Sequence, residues 1–145
     1  MSTPLTLAGQ PQLADWLSIT RLSVHIVAAC VWVGGQLVVA GLLGTIRGLG
    51  ESAPRRVAAA FGRLSWPAYW LLVATGIWNY LAIHSRIATT PWRIVFAVKL
   101  AVVAGAGLAA WRHPRATSPR AKGVWAGLTA LLSTLALVLG VALSG

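Results

Sequence analysis

Acidic residues are nearly missing from this chain: among its 145 residues, Asp15 and Glu51 are the only carboxylates, against 12 Lys and Arg. Neither acid falls inside an apolar run, so the chain has no carboxylate relay of the kind a proton pump threads through a membrane. Cysteine is limited to Cys30, which rules out an intramolecular disulfide and any CxxC metal or redox motif. Charged residues amount to 10% and hydrophobic ones to 57%, a balance that excludes an ordinary soluble domain. Met1 to Ala14 carry no Lys or Arg and so lack the charged n-region of a cleaved signal peptide; the first helix is expected to insert and stay. Repeats of fixed period and low-complexity tracts are absent as well, leaving one domain over 1–145.

What is present in abundance is long apolar sequence. The run from His25 to Gly41, HIVAACVWVGGQLVVAG, organises the rest, because in a bilayer only a helix satisfies every backbone N–H and C=O without water. Helical spacing puts Arg21, His25, Ala28 or Ala29, Trp32, Gln36 and Val39 on one stripe, expected to point inward. Asp15 or Ser18 suits the cap of this first helix, which continues to about Gly44. A second helix is expected from Pro54 to about His84, kinked near Trp66 by Pro67, with Trp66, Trp70, Val73, Ile77, Tyr80 and His84 on one face. Thr90 and Pro91 start a third helix whose stripe is Trp92, Phe96, Lys99, Val103, Ala106 and Ala110, and Ser118 with Pro119 starts a fourth. The fold expected is all-α: a polytopic four-transmembrane-helix bundle with spans at about 18–45, 60–84, 91–111 and 121–143.

Basic residues give an orientation. Arg47, Arg55, Arg56 and Arg63 flank one connection and Arg112, Arg115, Arg120 and Lys122 another, whereas the opposite side carries Arg21, Arg86 and Arg93. The positive-inside rule places both basic connections in the cytoplasm and both termini outside, in a multi-pass protein of the cytoplasmic membrane. Topology thereby accounts for the net charge of +10, and no nucleic-acid partner is expected. The lipid bilayer is the expected partner. Small-residue runs at Gly34-Gly35, Gly105 to Ala109 and Gly123 to Gly127 offer faces for a homo-oligomer or another membrane protein.

Two residues are expensive at membrane depth, where a charge costs roughly 2.5 to 3.5 kcal/mol on insertion scales. His25 lies roughly 8 Å, and Lys99 roughly 12 Å, below the outer end of its span at ~1.5 Å of rise per residue. Asn79 and Tyr80 come to a similar level, so three helices deliver polar groups to one outer-half layer. A functional reading is a small intramembrane site in which His25 ligates a metal or haem iron and Lys99 pairs with an anionic group. With no acid in the spans, that anion would be a ligand carboxylate such as a porphyrin propionate. Trp32 and Trp78 would wall a planar ligand, and His84, at a helix end, is a further metal candidate. A plainer reading has Lys99 snorkelling, His25 bonded to a neighbouring helix, His84 solvated at the interface, the tryptophans packing and Cys30 acting as a small buried apolar residue.

The early His followed by VWVGG, then RLSWPAYWLLVATGIWNYL, then PWRIVFAVKLAVV, resembles the CopD-like (copper resistance protein D) membrane domain over the first three helices. The resemblance implies copper homeostasis or haem-linked redox in the membrane. A more distant similarity is to HemJ, a four-helix protoporphyrinogen oxidase family in which a first-helix His and a third-helix Lys are associated with haem b. Those roles would map onto His25 and Lys99, while Gly34-Gly35-Gln36 departs from the HemJ pattern. Cuprous ions favour thiolate and thioether ligands, and the chain offers only Cys30 and Met1. Three expectations follow: a CopD-like protein holding copper or a haem-type group, a HemJ-like haem b oxidase, or a cofactor-free membrane scaffold.

Overall fold

The computed structural model describes residues 13–83 and 89–143, and its regular structure over them is entirely helical. Helix α1 (Trp16–Ala29) starts at Asp15, whose extended backbone and carboxylate accept the Ser18 amide at 3.1 and 3.3 Å. Hydrogen bonding from Ser18, side chain first and backbone amide second, holds the Asp15 carboxyl below its ordinary range. The rod continues through a π-helical turn (Cys30–Gly34) into α2 (Gly35–Gly41), and α3 (Leu43–Gly48) follows. Gly50, at φ 116°, reverses the chain, a backbone state that side chains resist. Helix α4 (Ala53–Ile83) runs without a break through Pro67. Thr89, rather than the expected Thr90, caps α5 (Thr90–Arg112), because the helix already includes Thr90 ahead of Pro91. A short 3₁₀ turn (His113–Arg115) leads to α6 (Pro119–Ala142), capped by Ser118 as expected.

The helices pack as two pairs, α1 with α4 and α5 with α6, and the π turn touches both α4 and α6. Burial is inverted relative to a water-soluble bundle. Inside lie Arg21, Ser65, Thr75, Thr129 and Ser133, with Ala28, Trp32, Tyr69, Ala106 and Ala109. Outside lie Leu17, Ile26, Val27, Leu37, Val38, Leu131, Val138 and Val141. Small and polar groups between helices with bulky apolar groups facing out is the arrangement lipid favours. Three helical stretches, Trp16–Gly41, Thr90–Arg115 and Pro119–Ala142, are long and apolar enough to cross a membrane, the signature of a multi-pass membrane protein.

The stripe expected on α1 faces inward: Arg21, Ala28 and Trp32 are buried, and His25, Gln36 and Val39 are half-buried. The stripe expected on α4 is not its buried face. Trp70 and Ile77 are 62% and 49% exposed, and the buried face is built from Ser65, Ala68, Tyr69 and Thr75. Small side chains there, with Tyr69 as the one large ring, suit close helix approach. Cys30, expected to be buried, lies on the outward side of the π turn and is exposed.

Candidate functional site

The α1–α4 pair is joined at His25. Its Nδ1 lies 2.7 Å from the Thr75 hydroxyl, and that hydroxyl lies 2.6 Å from the carbonyl of Leu71. A carbonyl has no proton to give, so Thr75 donates to Leu71 and must accept from His25. The imidazole therefore carries its proton on Nδ1 and presents Nε2 as a lone-pair donor. Gly76 lies beside the ring: a Cβ there would stand 3.7 Å from His25 Cε1, an ordinary contact.

One turn toward the start of α1, Arg21 is buried to 9% exposure and, among the described residues, has a single long bond of 3.5 Å from one terminal nitrogen to Ser18 and no partner for its Nε. On α4, one turn from Thr75, the Oδ1 of Asn79 is buried and equally without a partner. Lys99 comes from the other pair. It is half-buried, and its ammonium lies against α6, where a Cβ on Gly140 would stand 3.0 Å from Nζ. Tyr80 stacks on Phe96 at 4.4 Å and with Trp92 at 6.1 Å, closing this end between α4 and α5.

A second layer lies deeper. Trp32, 5% exposed, donates from Nε1 to Ser133 Oγ at 2.9 Å, linking the π turn to α6. Gln36 Nε2 donates to the Trp32 carbonyl at 2.8 Å and reaches the same Ser133 hydroxyl at 3.4 Å. Tyr69 packs against Trp32 at 4.8 Å between ring centres and donates its hydroxyl to the Val103 carbonyl at 3.1 Å.

Of the residues the sequence singled out, His25, Lys99, Asn79, Tyr80 and Trp32 all turn away from full exposure, whereas Trp78 is 45% exposed and belongs to the outer surface. His84 lies outside the described residues. Thr75 and Ser133, which set the environments of His25 and Trp32, escaped the sequence reading. Their only signal is a hydroxyl in an otherwise apolar stretch, VATGI and LLSTL. Among the described residues no three His, Cys, Asp or Glu side chains gather to hold a metal ion.

Two open grooves lie away from His25, at the basic connections. One of about 220 Å³ is lined by Trp111, Arg112, Arg115, Ala116 and Trp125, and one of about 620 Å³ by Leu49, Ala53, Arg56, Val57, Ala59, Ala60 and Arg63. In the first, the Arg115 guanidinium lies 4.0 Å over the Trp111 ring. No known protein family, no curated protein and no solved structure matches the chain.

Proposed function

We propose that the chain is a CopD-like, four-crossing protein of the cytoplasmic membrane, with α4 as the remaining crossing and both termini outside, that holds a haem-type group through His25. The observation that carries this reading is the Thr75 hydrogen bond, which leaves Nε2 of His25 free to act as a ligand. A single imidazole suits a macrocycle, which brings its own equatorial nitrogens, better than it suits a bare ion that needs several protein ligands. The donor set thus fits haem and fits copper poorly. A bound haem would supply one-electron redox chemistry; His25 would hold its iron, and Thr75 would fix the ring of His25 and raise its basicity. Lys99 adds a positive charge that favours an anionic ligand edge, since the bundle offers it no carboxylate. The orientation is supported by eight basic residues at the two connections, against Arg86 and Arg93 opposite once the buried Arg21 is set aside.

Absorbance tests the reading. Purified protein titrated with haem b should develop a Soret band that His25→Ala abolishes. Stoichiometric copper without haem uptake would move the assignment to copper handling, and uptake of neither would leave the scaffold. A HemJ-like oxidase is the second reading, favoured by a half-buried lysine on α5 with no carboxylate in the spans to pair it. Porphyrin fluorescence appearing from porphyrinogen, and lost in Lys99→Met, would mark it.

A further inference from the structure

Two buried polar atoms on the packed helices α1 and α4 lack partners among the described residues: Arg21 Nε, a donor, and Asn79 Oδ1, an acceptor. Native structures leave few such atoms, and each calls for an occupant. The helices α1 and α4 run antiparallel in a register given by His25 against Thr75 and Trp32 against Tyr69. One turn outward from the first pair, that register brings Arg21 and Asn79 to the same level. Arg21 is nine-tenths buried as a residue, and the nearest acid in sequence, Asp15, bonds to the Ser18 amide at the start of α1 and acts on Arg21 only through its charge, with no hydrogen bond to it among the described residues. A buried cation of this kind is stabilised chiefly by an anion brought to it.

We infer that Arg21 and Asn79 form a carboxylate-recognition site one turn outside His25. Nε and a terminal nitrogen of Arg21 make a planar fork that matches the two oxygens of a carboxylate. Turning the Asn79 amide over, an exchange its near-symmetric shape permits, presents Nδ2 as a third donor. Ser18, at 3.5 Å from the guanidinium, is held too loosely to compete. The carboxylate has two sources: an edge group of a macrocycle held by His25, which would deepen the function proposed above, or a free small acid, which would not depend on it.

The experiment uses the whole chain in detergent, with haem b and its dimethyl ester as paired probes and Soret absorbance as the readout. The free acid should bind roughly tenfold more tightly than the ester, as one charge-assisted fork allows. That preference should vanish in Arg21→Gln and in Asn79→Asp. The second variant supplies a carboxylate from the protein itself, so it keeps the test valid if Arg21→Gln fails to fold. If neither haem form binds, the haem reading fails, and the thermal midpoint in acetate or succinate against chloride of equal ionic strength decides this one. A carboxylate-specific rise in the wild type, absent in Asn79→Asp, supports the site with a free acid. A preference that survives Arg21→Gln, or the absence of both the ester discrimination and the carboxylate-specific rise, overturns it and leaves a buried water between the two groups.

Discussion

At the scale of single residues, the chemistry around His25 is set by a threonine. Thr75 is 4% exposed and passes its own proton to Leu71, and this fixes which nitrogen of His25 is bare. Thr75→Val keeps the shape and removes the acceptor, leaving a half-buried Nδ1–H without a partner. The expected loss is about 1 to 3 kcal/mol of stability, read from denaturant-induced unfolding in detergent, with Thr75→Ser restoring most of it. Equal stability of the Val and Ser variants would show that the hydroxyl contributes nothing. Asp15 gives a pH signature. Its carboxyl, depressed below 3.8 by Ser18, contributes as the charged form, so its stabilisation is present above the unfolded value and is lost as pH falls through the lower folded one. Below that range the wild type and Asp15→Asn should converge in thermal midpoint, while at neutral pH the wild type should be the more stable.

At the scale of elements, the contact between the two helix pairs depends on Tyr69. A Cβ on Gly107 would run into its phenol ring, so α5 can approach α4 here only through glycine. Gly107→Val should destabilise the fold by about 1 to 3 kcal/mol, the usual penalty of overpacking, and Tyr69→Leu in the same chain should recover part of it. Thermal midpoints of the two single variants and the double variant check this; strictly additive losses would mean that the two residues do not meet. The α1 and α5 stripes were legible because His25, Trp32, Phe96 and Lys99 stand out at helical spacing from an aliphatic background. The α4 face was not, since tryptophans suggest a core in water, whereas in lipid Trp70 can stay outside while Ser65 and Thr75 pack within. The π turn was illegible for another reason: CVWVG differs in no local property from the ordinary helix around it. Its effect is nonetheless large, because one extra residue per turn resets the direction of every side chain from Gly35 onward.

At the scale of the whole molecule, the question is how the rods cross the bilayer. Three stretches qualify by length and apolar character, while α4, at 31 residues, is long enough but is diluted by Trp66, Pro67, Tyr69, Asn79 and Tyr80. Its packing along α1 covers the Arg21–His25 side of that helix, which supports the fourth crossing proposed above. In a Cys30→Ala background, Thr89→Cys should react with an impermeant maleimide from outside, and Ser52→Cys only after the membrane is opened. Labelling of both positions from one side would remove the fourth crossing.

The division into two pairs carries a consequence for traffic. Each pair is a closed leaf, and the leaves are pinned to one another mainly by single side chains, Tyr69 to Val103, Trp32 to Ser133 and Tyr80 to Phe96. Loss of those few bonds would separate the leaves while leaving each pair intact. A solute dissolved among acyl chains would then reach the interior sideways, without passing through either aqueous face.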